Sequence, residues 1–145
     1  MNFMLRFLLV LCVGMAMWSF ALAQTQATGS QAGEEAHKVP VMDGGAGPCS
    51  LELTVNGPDG KPVYAARVKV HINYRFGGFH KLDLEAGTNV DGKVKFTGLP
   101  DRVRRPPLEF YALKDDMQGM ATYDPMNECQ GKHDISLSKN APPSQ

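Results

Sequence analysis

From Ser50 onward the chain alternates between apolar and polar residues. Leu51, Leu53 and Val55 are interleaved with Ser50, Glu52 and Thr54, a period of two that turns one face of a strand to a core and the other to water. Gly57-Pro58-Asp59-Gly60 follows; proline presets φ and glycine accepts a positive one, so a turn is expected. Val68, Val70 and Ile72 alternate with Arg67, Lys69 and His71 in a second strand, which Gly77-Gly78 breaks. Alternation resumes from Phe79 to Leu84, with Leu82 and Leu84 set against Lys81 and Asp83. Asp91-Gly92 predicts a hairpin turn between Val90 and Val94. Lys93 to Thr97 then gives a fourth strand with Val94 and Phe96 inward, ended by Gly98-Leu99-Pro100.

Asp101 to Pro107 is a polar, arginine-rich loop, and Leu108, Phe110 and Ala112 begin another strand. Asp115-Asp116 marks a turn, and Met120 to Tyr123 and Ile135 to Leu137 close the pattern. About seven short strands with regular turns and no amphipathic helix predict an all-β, antiparallel β-sandwich of prealbumin or immunoglobulin type. Apolar faces packed back to back would hold it together.

The ends read differently. Arg6, an apolar run from Phe7 to Phe20 and small residues at Ala21-Leu22-Ala23 match a cleavable export signal over residues 1–23. The apolar run is short for a spanning helix, which needs about 20 residues. Residues 24–48, rich in Gln, Thr, Gly, Ala and Ser, read as a flexible linker, and 140–145 as a disordered tail. The domain is thereby placed at 49–139. Export implies a periplasmic or secreted protein that touches a membrane only through its signal.

With Cys12 in the signal, Cys49 and Cys129 are the remaining thiols. In an oxidising compartment two such cysteines pair most simply with each other. The bridge would close an 80-residue loop (129 − 49), and the chain-entropy relation assigns that closure about 4 kcal/mol. Charge adds little: 15 basic residues balance 15 acidic ones, so nothing points to nucleic acid.

The strand Leu51 to Val55, then Pro58-Asp59-Gly60-Lys61-Pro62-Val63, then Ala66-Arg67-Val68-Lys69-Val70 form an ordered pattern, continued by Asn89-Val90-Asp91-Gly92-Lys93-Val94-Lys95-Phe96-Thr97-Gly98-Leu99-Pro100. This stretch resembles the carboxypeptidase regulatory-like domains, whose sandwich is transthyretin-like or carbohydrate-binding-like. The resemblance implies such a fold and an adhesive, spacer or accessory role in an exported bacterial protein. It covers residues 50–100. Beyond Pro100 the family's usual Gly-x-Tyr strand is displaced by Arg102 to Pro107. The Tyr-Arg-Gly-Ser ending of transthyretin-like hydrolases is replaced by Ala141-Pro142-Pro143-Ser144-Gln145.

Candidate chemistry is sparse. Arg102, Arg104 and Arg105 form the densest like-charge cluster, suited to an acidic partner because guanidinium forks match carboxylates and phosphates; the alternative is a solvated loop balanced by Asp101 and Glu109. Tyr74 and Phe76 flank Gly77-Gly78 and offer ring faces to a sugar. His133, close to Cys129, and Met117, Met120 and Met126 invite a soft metal site, but an oxidised Cys129 donates no thiolate and methionine commonly fills cores. No metal, cofactor or catalytic residue is therefore assigned. The sequence leads one to expect a non-enzymatic module that contacts an envelope or extracellular protein or serves as a structural accessory. A carbohydrate-binding module acting on a glycan is the alternative, followed by a small transthyretin-like hydrolase.

Overall fold

A computed structural model describes residues 31–74 and 79–139, and the account below concerns the unit Ala32–Gln145. The expected export signal at 1–23, Phe76 and the expected tail at 140–145 lie outside the described residues. Among the described residues no helix is long and apolar enough to cross a membrane.

A short helix, α1 (Gln31–His37), precedes β1 (Val41–Asp43), β2 (Cys49–Asn56), β3 (Arg67–Tyr74), β4 (His80–Gly87) and β5 (Lys93–Leu99). After these come β6 (Leu108–Lys114), β7 (Met117–Tyr123), β8 (Gln130–Ser136) and β9 (Ser138–Lys139). They form two sheets, one ordered β1-β5-β2-β8 and the other β4-β3-β6-β7-β9. The result is the all-β sandwich that the alternation predicts. The second sheet is antiparallel throughout. The first contains two parallel pairings, β1 with β5 and β2 with β8.

The alternating residues meet between the sheets. Leu51, Leu53 and Val55 of β2, Val94 and Phe96 of β5 and Ile135 of β8 are fully buried. Val68 and Ile72 of β3 and Phe110 and Ala112 of β6 are equally buried from the other side. Phe96 and Phe110 touch across the core with ring centroids 5.3 Å apart, and Phe110 meets Tyr123 edge-on at 6.4 Å. Burial of these side chains at about 25 cal/mol per Å² of apolar surface is the main force joining the sheets. No buried side-chain nitrogen or oxygen among the described residues lacks a hydrogen-bond partner.

Cys49 and Cys129 are joined, with Cα atoms 4.6 Å apart. The bridge fastens the start of β2 to the residue before β8, where the Ser50 N–H also donates to the Cys129 carbonyl at 2.8 Å.

Two local expectations are corrected. Asp91-Gly92 is not a hairpin turn between paired strands, because β4 and β5 lie in different sheets. The turn is an arch across the sandwich. Gly92 adopts φ +70°, and the Asn89 side-chain oxygen accepts from the Asp91 and Lys93 N–H groups at 3.0 and 2.8 Å. The second correction concerns residues 24–48, expected as a flexible linker. Residues 31–37 are helical, and β1 pairs in register with β5 from Val41↔Lys95 to Asp43↔Thr97. Hydrogen bonds to its carbonyls hold this segment: Asn89 Nδ2 donates to the His37 carbonyl at 2.8 Å, and Lys95 N–H donates to the Pro40 carbonyl at 2.9 Å. Gly98 allows the chain to pass closely here. It has φ +64° within a bulge of β5, where Thr97 and Gly98 lie against Ser50 of β2, and its carbonyl accepts from Ala46 at 2.7 Å, a backbone shape that side chains oppose.

Candidate functional site

Burying Val68, Val70 and Ile72 turns Arg67, Lys69 and His71 to the outer face of the second sheet, since neighbouring residues of a strand point oppositely. The same rule turns Asp83 and Glu85 of β4, and Glu109 and Tyr111 of β6, outward. Register then decides which of them meet. His71 lies directly opposite Asp83, and Lys69 lies opposite Glu85 on one side and Tyr111 on the other.

These side chains line a groove of about 750 Å³, together with Arg105 and Pro107 of the loop before β6. That volume is within the range of small-molecule sites, roughly 300–1,000 Å³. His71 Nδ1 stands 2.5 Å from Asp83 Oδ1. An ionised carboxylate only accepts, so Nδ1 is the donor of this pair and Nε2 is the ring nitrogen it leaves unengaged. Half of the His71 side chain is open to solvent (51%), so a ligand can reach it.

The carboxylates of the groove are engaged. Glu85 takes Arg67 Nε at 3.0 Å and Lys69 Nζ at 3.2 Å, and Glu109 accepts from the Tyr111 hydroxyl. Arg105, by contrast, forms no ion pair among the described residues. Its loop is tied to the sheet: Val103 bridges Tyr74, and the Arg104 N–H donates to the Asn73 carbonyl at 3.0 Å. The lining residues include no serine, threonine or cysteine.

The arginine cluster is therefore split by the structure. Arg105 lines the groove, Arg104 is tied through its backbone to the end of β3, and Arg102 is exposed away from the lining. The Tyr74 ring leans on His80 with centroids 5.6 Å apart and packs against the core, and Phe76 lies outside the described residues. Cys129 belongs to the disulfide, and His133 Nε2 lies 3.1 Å from Glu128 Oε2. Among the described residues no three His, Cys, Asp or Glu side chains converge as a metal cage.

No family model matches the chain, and no curated protein matches it. Solved structures do. Catechol 1,2-dioxygenase from Pseudomonas arvilla C-1 matches 74% of this chain and 60% of its own, with 13% identity and a TM-score of 0.48. Hydroxyquinol 1,2-dioxygenase from Pseudomonas putida DLL-E4 matches 72% and 63%, at 11% identity and a TM-score of 0.43. Catechol 1,2-dioxygenase from Acinetobacter radioresistens matches 75% and 62%, at 14% identity and a TM-score of 0.41. The chain thus spans about three-fifths of the length of these enzymes. They are enzymes and not adhesive, sugar-binding or accessory modules, so the expectation of a non-enzymatic module is withdrawn. The likeness concerns the fold and assigns no reaction.

Proposed function

We propose that the chain is an enzyme that moves a proton on a small molecule held in the outer groove of the second sheet, with His71 as the general base. The 2.5 Å pairing of His71 with Asp83 inside that groove carries the reading. Asp83 fixes the imidazole tautomer and stabilises the imidazolium that forms when Nε2 takes a proton, a role carboxylates commonly play beside catalytic histidines. No serine, threonine or cysteine lines the groove, and the reading is proton abstraction. Nε2 removes a proton from an activated C–H, the electron pair remains on the substrate as an enolate, and the proton is returned to the same carbon. The Cys49–Cys129 disulfide supports an oxidising compartment for this activity.

Deuterium exchange tests it directly. A panel of small carbonyl compounds is incubated with the protein in D₂O, and loss of the α-proton signal is followed by NMR. Exchange of at least one compound is expected to exceed the buffer rate by about 10²–10⁴-fold and to fall to that rate in His71→Ala. Exchange no faster than buffer across the panel, or undiminished in His71→Ala, would overturn the reading.

A further inference from the structure

One row of side chains crosses the outer face of four strands and changes character as it goes. Register places Glu85 of β4 against Lys69 of β3, Lys69 against Tyr111 of β6, and Tyr111 against Met120 of β7. The row begins as an ion pair and ends as hydrocarbon. Tyr111 and Met120 are 39% and 50% exposed, and Leu113, two residues along β6 on the same face, is 38% exposed. Apolar side chains scattered over a surface need no explanation, but three together beside a groove mark a contact face. The patch continues the groove because Tyr111 belongs to both.

The charges add a second, independent indication. Asp83, Glu85 and Glu109 each have a donor within the sheet, whereas Arg105, which also lines the groove, has no carboxylate partner among the described residues. A guanidinium presents a planar fork that suits a carboxylate.

From the meeting of these two features we infer the substrate class: a small amphipathic carboxylate, its anionic end on Arg105 and its apolar body along Tyr111 and Met120. Size favours a small molecule over a protein, because the apolar part is three side chains and the groove holds about 750 Å³. The inference rests on the groove being the working site. It makes Arg105 and Met120 specificity-determining residues. Neither is asked to take part in proton transfer.

Binding of 4-phenylbutyrate, followed by NMR on the full disulfide-bonded chain, tests this apart from turnover. Millimolar 4-phenylbutyrate is expected to shift resonances of β3, β6 and β7 and those of Arg105, while the uncharged 4-phenylbutyramide and the short acetate bind at least 10-fold more weakly. Arg105→Gln is expected to weaken 4-phenylbutyrate about 10-fold and Met120→Gln several-fold. Because the comparison among the three ligands needs no substitution, it stands whatever the variants do. Equal binding of acid and amide, no binding up to 10 mM, or shifts confined to another surface would overturn the inference. Binding as described in a protein that exchanges no α-proton would retain the ligand class and remove only the proton-transfer reading.

Discussion

Tyr123 is the least exposed tyrosine of the described sheet, 1% open, with its ring edge-on to both Phe110 and His133 and its hydroxyl 3.4 Å from the Ser50 carbonyl. Burial, reinforced by the Glu128 and Asp124 carboxylates, pushes its phenol up to about 12 from 10.0. The native state therefore keeps the proton at pH values where the unfolded chain has lost it. Linkage fixes the sign: this contribution is complete below pH 10 and is lost as pH rises towards 12. Its size is on the order of 2 kcal/mol. Urea midpoints measured from pH 8 to pH 11.5 should fall more steeply above pH 10 for the wild type than for Tyr123→Phe. Equal slopes would show that the phenol carries no such linkage.

His71 illustrates how far single residues can be read from sequence. Alternation alone places it outward, and the same is true of Asp83. Gly77 lies six residues from each, so a hairpin centred there sets the two opposite, as the structure does. The signal was present in the spacing around the glycine pair, but it appears only when register is combined with facing. Arg105 was visible as part of a charged cluster. What separated it from Arg102 was the anchoring of its loop to β3, which no local pattern encodes.

At the scale of elements, strands with a buried face were legible and those held by backbone alone were not. The alternating apolar residues of β2, β3, β5 and β6 are all buried, joined by Cys49 and Leu99, which the alternation did not include. β8 was foreseen only around Ile135, yet it begins at Gln130 because it pairs with β2 along its whole length. α1 and β1 show little apolar periodicity; α1 is tied by hydrogen bonds to the arch between β4 and β5, and β1 by its pairing with β5. Asn89 is the centre of that arrangement, buried to 4% and bonded to Asp91, Lys93 and His37. Asn89→Ala removes three hydrogen bonds and leaves part-buried backbone groups without that partner, at a cost of about 2–4 kcal/mol. Hydrogen exchange should show faster exchange at Asp91 and Lys93, together with earlier proteolysis near His37. Unchanged protection there would show that the segment is held by other contacts.

For the whole molecule, the disulfide and the sandwich act on different sides of the folding equilibrium. The sandwich gains by removing apolar surface from water, and the bridge by restricting the unfolded chain. Cys49→Ala with Cys129→Ala should lower unfolding free energy by about 4 kcal/mol and the melting temperature by roughly 15 °C or more. The groove geometry should persist below the transition, because none of its lining residues is near the bridge in sequence. A double variant that melts with the wild type would show that the core alone sets the stability.

The seat of β2 between β5 and β8 also governs the order of events while the chain is being made. β2 is among the earliest strands to leave the ribosome, yet one of its two flanks stays bare until residues 130–136 have emerged. During that interval an eight-residue ribbon with Leu51, Leu53 and Val55 on one side is open to any neighbouring chain offering a matching edge. A nascent protein halted before β8 would thus be the form most prone to self-association, and the arrival of the last long strand is what ends that exposure.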